Sequence, residues 1–320
     1  MKHRIIILIA AVAALALGGC GASSQWYHLP PLEFDQMDYG YPVKHATVDG
    51  MDVAYIDQGA GDRVILLIHG LGTHAKGWRR NIPALADAGH RVIAVDLPGY
   101  GMSGKDHYPY SMSFHAAVCA GLLDALDIGS AVWVGHSMGG QIALTAALER
   151  PDHVAGLVLL STAGFEPFTE GEGDWMKGAV TPKFVHDATT RQIARNVHSN
   201  FHEMPAEAEF FITDRIRMRG AADFDQYCYA VWRNVAGMLD GPVLDRLGDI
   251  DKPTLIMFGE HDALIPNPYL HGGFTRDVAQ RGHAAIAGSQ LIMIPECGHM
   301  TMFEKADEVN AAVRDFVGKL

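Results

Sequence analysis

Six stretches of the chain are apolar almost without interruption: RVILLIHG from Arg63, RVIAVD from Arg91, AVWVG from Ala131, VAGLVLLS from Val154, PTLIMFG from Pro253 and QLIMIP from Gln290. A strand with one face in water alternates apolar and polar side chains, so a continuous run of this length reads as a strand covered on both faces. Such strands belong to a mostly parallel sheet, and parallel neighbours need crossover connections of helical length. The connections have that length. Residues 113–126, for example, place Phe114, Ala117, Val118, Gly121, Leu122 and Leu126 on related helical faces. Alternating strand and helix predicts an α/β fold with a mostly parallel central sheet flanked by helices. Ahead of the six runs, residues 43–48 and 51–55 flank Asp49-Gly50, a hairpin signal that predicts two antiparallel strands at the sheet edge.

The alternation breaks between about Phe165 and Gly248, where helix-like polar and aromatic segments replace strong strands. This stretch reads as an inserted helical cap. The chain thus divides into a first core part over 42–164, a cap over 165–248 and a second core part over 249–320. A chain of 320 residues, 48% of them hydrophobic, can bury one large core carrying such an insertion.

In a parallel α/β sheet, ligands meet the chain at the carboxyl ends of the strands, so the residues just past each apolar run are the candidates for chemistry. Four of these positions are coherent: His69-Gly70-Leu71-Gly72, Gly135-His136-Ser137-Met138-Gly139-Gly140, Gly259-Glu260-His261-Asp262 and Cys297-Gly298-His299. Their order, with Asp96-Leu97-Pro98-Gly99-Tyr100-Gly101-Met102-Ser103 after another run, resembles the α/β-hydrolase superfamily from about residue 42 to 320. The cap matches least. Within the superfamily the chain is similar to lipid-anchored bacterial lipases and esterases, and to the monoglyceride lipases that share the string GHSMGG.

The resemblance implies an α/β-hydrolase fold, no cofactor and no metal, and it assigns roles. Ser137, on a tight strand-to-helix turn that leaves room only for glycine at 135 and 139, is the nucleophile. His299 is the base that takes its proton, and Asp262 holds the imidazole and stabilises its charged form. The backbone N–H groups of Leu71 and Met138 form the oxyanion hole. Glu260 competes with Asp262 for the acid position, whereas the end of the preceding strand, Ser161-Thr162-Ala163-Gly164, supplies no carboxylate. His69, His136, Asp96 and Ser103 read as loop braces. His198 and His202 have the i, i+4 spacing of a metal pair but lack a third ligand pattern. Phe165, Phe168, Trp175, Phe184, Phe201, Phe210, Phe211, Tyr227, Tyr229 and Trp232 line an acyl pocket or simply fill the cap.

The amino terminus carries its own message. Met-Lys-His-Arg, an apolar segment from Ile5 to Leu17 and Leu17-Gly18-Gly19-Cys20 make a secretory signal over 1–19 whose apolar part is short for a membrane span. The junction resembles a bacterial lipobox, which implies acylation of Cys20, palmitate included, and a lipoprotein anchored in the cell envelope. It would face the periplasm or the exterior. Gly21 rather than aspartate after that cysteine favours the outer membrane in a Gram-negative cell. Residues 20–41 then read as a flexible tether. Formal net charge is −12, and −14 once Lys2 and Arg4 leave with the signal, so a nucleic-acid partner is not expected. Cys119, Cys228 and Cys297 are odd in number and define no disulfide framework.

The expected activity is serine-dependent hydrolysis of an apolar or lipid-like carboxylic ester. Cofactor-free haloperoxidases and carbon–carbon bond hydrolases keep the serine and are alternatives on the same fold. A non-catalytic binding lipoprotein, the alternative from another class, predicts loss of a triad member or of an oxyanion glycine, and none is missing.

Overall fold

All six residues of the segment Ala131–His136 are buried, as are all six of Thr254–Gly259. A strand can be covered on both faces only in the middle of a layered sheet, and the computed structural model, which describes Trp26 and residues 28–320, places them there. The strands are β1 (Val43–Val48), β2 (Met51–Gln58), β3 (Val64–Ile68), β4 (Arg91–Val95), β5 (Ala131–His136), β6 (Val154–Leu160), β7 (Thr254–Gly259) and β8 (Gln290–Ile294). They form one sheet in the order β1-β2-β4-β3-β5-β6-β7-β8. β1 and β2 are the expected hairpin, β2 lies antiparallel on β4, and every other pairing is parallel. Each of the six apolar runs is a strand.

β8 departs from the pattern of its run. Gln290 and Ile292 are exposed, because β8 closes the sheet edge and has a partner on one side only. The helices are α1 (Ile82–Ala86), α2 (Met112–Ala125), α3 (Met138–Glu149), α4 (Glu170–Ala179), α5 (Pro182–His186), α6 (Thr190–His198), α7 (Phe210–Arg217), α8 (Phe224–Asp240), α9 (Thr275–Ala285), α10 (Thr301–Glu304) and α11 (Ala306–Val317). Five of them, α4 to α8, lie between β6 and β7. Thr169 and Thr189 start α4 and α6 with full capping boxes, each hydroxyl accepting an N–H one turn on while Glu172 or Gln192 reaches back. Sequence-local signals therefore set where these helices begin.

The cap is fastened to the core by a buried ion pair, Lys76 Nζ to Asp214 Oδ2 at 2.6 Å, between the turn after β3 and α7. The described part of the expected tether forms a second fastening, so it is a packed strap and the flexible-tether reading fails for it. The Leu32 amide donates to the Arg217 carbonyl at 3.1 Å, and the Phe34 ring lies 5.8 Å from that of Tyr227 and under the Lys105 ammonium at 3.9 Å. Tyr39 OH donates to Asp96 Oδ2 at 2.7 Å. Leu32, Phe34, Met37 and Tyr39 have no helical or strand period, yet all four are buried. Aperiodic apolar residues are invisible to pattern reading but still gain by leaving water. The signal segment over 1–19 and Cys20 lie outside the described residues. Among the described residues no helix is long and apolar enough to cross a membrane.

Candidate active site

The parallel arrangement brings the carboxyl ends of β3, β5, β7 and β8 to one edge of the sheet, and each is followed within five residues by a candidate side chain or amide. Ser137 caps α3 with φ 53° and ψ −117°, a conformation that costs a residue with a β-carbon about 1–3 kcal/mol. The surroundings hold it there. A β-carbon at Gly135 would stand 2.2 Å from the Gly139 carbonyl oxygen, and one at Gly139 2.3 Å from the Ile68 carbonyl oxygen. At Gly140 it would meet Thr162 Oγ1 at 2.1 Å, which is where α3 packs onto the end of β6. The three glycines let a strand turn straight into a helix with the serine at the corner. The Met138 N–H is then the first orphan donor of α3, at the positive end of its dipole.

His299 and Asp262 are joined at 2.7 Å, Nδ1 to Oδ2, with both side chains nearly inaccessible. The other carboxylate oxygen of Asp262 accepts from the amides of Leu264 at 2.9 Å and Ile265 at 3.1 Å, so the acid is locked from both sides. Ser137 and His299 line one cavity of about 690 Å³, together with Leu71 of the loop after β3. No hydrogen bond joins Ser137 Oγ to the His299 ring among the described residues; in unliganded sites this contact is commonly long and tightens on substrate binding. Glu260, the rival acid, instead pairs with Arg276 at 2.6 Å on the surface.

The two flanking histidines are held neutral. Burial pushes His69 down to about 3; its Nδ1–H donates to the Gly70 carbonyl at 2.8 Å while Nε2 accepts from the Leu97 amide. Burial, reinforced by the neighbouring His299, also holds His136 far below the usual imidazole range, and its Nε2–H donates to the His299 carbonyl at 3.0 Å. Asp96 accepts from the amides of Ala75 and Met102, while Ser103 donates to the Asp96 carbonyl at 2.6 Å and accepts from the Ala54 amide. These four residues brace loops.

His198 ends α6 and donates to its own helix at the Ala194 carbonyl, whereas His202 lies beyond the helix and stacks on His261 with ring centres 4.2 Å apart. The two do not share a helical face. Among the described residues no group of three or more His, Cys, Asp or Glu is arranged to hold a metal. Cys119, Cys228 and Cys297 are free and buried, and burial raises the Cys119 and Cys228 thiols to about 12.

Of the cap aromatics, Phe168, Phe184, Phe201 and Phe211 line the cavity, whereas Phe165 packs on Phe258 under α9 and Tyr227 donates to the Gly72 carbonyl at 3.3 Å. Three charged residues of the cavity wall, Glu166, Arg215 and Asp245, escaped sequence reading. Glu166 lies six residues past the end of β6, and its Oε1 accepts from His271 Nε2 at 2.6 Å and from the Asn267 amide. His271 also meets Glu172 Oε1 at 3.0 Å, so it bridges the start of the cap and the loop after β7. Burial raises the Glu166 carboxyl despite these contacts. Arg215, on α7, donates to Asn196 Oδ1 at 2.7 Å. None of the three stands at a motif position, so no sequence signal marked them.

The chain matches the alpha/beta hydrolase family over residues 65–312. It is 32% identical over 273 residues to a 2-hydroxy-6-oxononadienedioate/2-hydroxy-6-oxononatrienedioate hydrolase of Burkholderia vietnamiensis, covering 83% of this chain and 90% of that protein. A probable hydrolytic enzyme from Pseudomonas aeruginosa PAO1 superposes with a TM-score of 0.80 at 27% identity, covering 90% of this chain and 98% of the other. An enol-lactonase from Burkholderia xenovorans LB400 superposes with a TM-score of 0.68 at 25% identity, over 86% and 100% of the two chains.

Proposed function

The chain belongs to the alpha/beta hydrolase family, and from that membership we propose that it is a serine hydrolase of uncharged, apolar carboxylic esters that works through an acyl-enzyme. One observation carries the reading: Ser137 and His299 open together into a cavity of about 690 Å³ whose walls are mainly aliphatic and aromatic. Ser137 Oγ attacks the ester carbonyl while His299 takes its proton, and Asp262, bound to Nδ1, stabilises the imidazolium. The negative oxygen is received by the amides of Leu71 and Met138, each donor contributing about 3 kcal/mol. The alcohol leaves with the proton from His299, and water, activated by the same ring, releases the acid.

A second reading has one observation in its favour. Arg215 puts a guanidinium into the cavity wall, and the Burkholderia vietnamiensis relative is named as the hydrolase of a dicarboxylate. Against it, the same cavity holds two carboxylates, Glu166 and Asp245, and Arg215 already spends one nitrogen on Asn196. The test is a p-nitrophenyl ester series from acetate to dodecanoate, a matched anilide, and a 2-hydroxy-6-oxodienoate, each with the wild type and Arg215→Ala. Ester hydrolysis is expected to rise with chain length before falling, to exceed the anilide, and to survive Arg215→Ala. Turnover of the dienoate alone, lost in Arg215→Ala, would transfer the assignment to carbon–carbon cleavage.

The lipobox reading remains a companion proposal, supported by the sequence Leu17-Gly18-Gly19-Cys20. Labelled palmitate is expected to enter the protein in an expressing bacterium and to be lost in Cys20→Ser; equal incorporation in the variant would discard it.

A further inference from the structure

One carboxylate fastens the loop carrying His299 to the cap. Glu304, the last residue of α10, reaches back along its own loop, and its Oε2 accepts from the Gly298 amide at 2.8 Å and from the His202 amide at 3.2 Å. Its Oε1 accepts from the Glu203 amide at 2.5 Å. Gly298 immediately precedes His299, whereas His202 and Glu203 belong to the irregular cap segment that follows α6. Beside this carboxylate the Met300 amide donates to the Asn200 carbonyl at 3.0 Å, a second bond between the same two segments.

The two backbones are in contact as well as bonded. A β-carbon at Gly298 would stand 2.6 Å from the His202 nitrogen and 2.7 Å from the Phe201 carbonyl carbon, distances that real β-carbons do not occupy. On the opposite side the His299 carbonyl is held by His136 Nε2. Asp262 therefore orients the imidazole, but its backbone is held from the core by His136 and from the cap by Glu304 and Asn200.

Three amide donors converge on Glu304, and only a carboxylate, with about four lone-pair sites on two oxygens, accepts them all. A glutamine of the same length offers one oxygen and would turn its own N–H₂ toward an N–H. We propose that Glu304 is a positioning residue for the general base, coupling residues 200–203 of the cap to residues 298–300 so that the two segments move as one body. The proposal rests on the reading of His299 as the base. In consequence, a cap displacement on this side withdraws the base from Ser137, and apolar substrate seated under residues 200–203 helps hold the base in register.

The experiment uses the full chain in detergent and compares wild type with Glu304→Gln and Gly298→Ala. Five quantities are measured: the rate of Ser137 labelling by a fluorophosphonate, kcat and KM for p-nitrophenyl acetate, amide exchange in 200–203 and 298–300, and the thermal midpoint. Glu304→Gln is expected to label Ser137 about tenfold more slowly or worse, since displacing a reacting group by about 1 Å costs up to about 100-fold. The loss should fall on kcat, with KM for the small ester within about twofold, and amide exchange should accelerate in both segments together. A bystander carboxylate would leave kcat and labelling unchanged, and that result, or faster exchange in one segment alone, overturns the proposal. Should Glu304→Gln fail to fold, Gly298→Ala decides on the same criteria, because it keeps the carboxylate and pushes the cap segment away. Should the wild type itself not label, the reading of Ser137 falls, and paired or unpaired exchange still decides the clamp.

Discussion

The floor of the cavity and the α4 stretch of its roof tolerate change very differently. On the floor, β-carbons added at Gly135, Gly139 or Gly140 would collide with backbone or side-chain atoms at 2.1 to 2.3 Å. In the roof, Gly171, Gly173 and Gly178 of α4 have nothing within 4 Å of the same construction. The floor is a set of strand ends packed between neighbours, so each residue there has one geometry available. At α4 and α5 the roof has a solvent face, where Trp175 and Phe184 are more than half exposed, whereas α8 lies against the core, a β-carbon at Gly237 standing 2.2 Å from the Tyr110 carbonyl oxygen. Under the proposed function, chemistry that requires atoms placed to within about 0.5 Å falls on the rigid side, and shape selection on the more open α4 side.

The largest effect that can break this comparison is at the nucleophile. Ser137→Ala is expected to lower ester turnover by on the order of 10⁶ while the fold persists, measured by burst kinetics and circular dichroism. Retained turnover would move the chemistry off the floor altogether. Next comes the pair of carboxylates after β7. Asp262→Asn is expected to cost about 10⁴ in kcat by presenting an N–H₂ where the His299 N–H needs an acceptor. Glu260→Gln, which loses only a surface partner of Arg276, is expected to stay within a few-fold. The reverse ranking would reassign the acid.

A smaller effect separates floor from roof by stability alone. Gly139→Ala is expected to destabilise by at least the ~1–3 kcal/mol of ordinary overpacking, because the colliding atoms belong to backbone. Gly178→Ala, in an open position of α4, is expected to stabilise by about 0.5–1 kcal/mol through helix propensity. Urea titrations of the two variants read both, and equal shifts would erase the distinction.

The smallest effect concerns the contact of His271 with Glu172 and Glu166, where the roof meets the loop after β7. His271 is raised above its ordinary value: burial opposes this, but hydrogen bonds to Glu172 and Glu166 outweigh it. The Glu172 carboxyl, half-buried and bonded to the Thr169 amide and to His271, is lowered to about 2 and stays charged. A histidine raised in the folded state contributes fully below its unfolded value of about 6.5 and loses that contribution as pH climbs through the folded value. Proteolysis within 263–274 is therefore expected to quicken as pH rises above about 6.5 in the wild type, and to lose that dependence in His271→Gln. A pH response persisting in the variant would place the titrating group elsewhere.

Sequence alone determined the strands of the floor and where they end. A buried parallel strand is a continuous apolar run, its end is marked by the first residue that breaks the run, and chemistry in such a sheet gathers at those ends, so the segments holding Leu71, Ser137, Met138, Asp262 and His299 were legible as candidates from pattern, while their proposed roles came from the resemblance those motifs carry. The hairpin of β1 and β2 and the start of α2 were legible for the same reason, since period and turn chemistry are local. Only the tertiary structure decided the rest. That Phe168 lines the cavity while Phe165 packs under α9, that Glu166 and Arg215 reach the wall, that β8 is an edge, and that residues 28–41 form a strap all depend on contacts between segments far apart in the chain. Glu304 is the sharpest instance. It is one acid on a short helix, with nothing in its neighbours to distinguish it, and its partners at 202, 203 and 298 come from two separate segments. Local pattern encodes which face of an element is apolar, but which distant backbone comes to lie against a given side chain is set by packing.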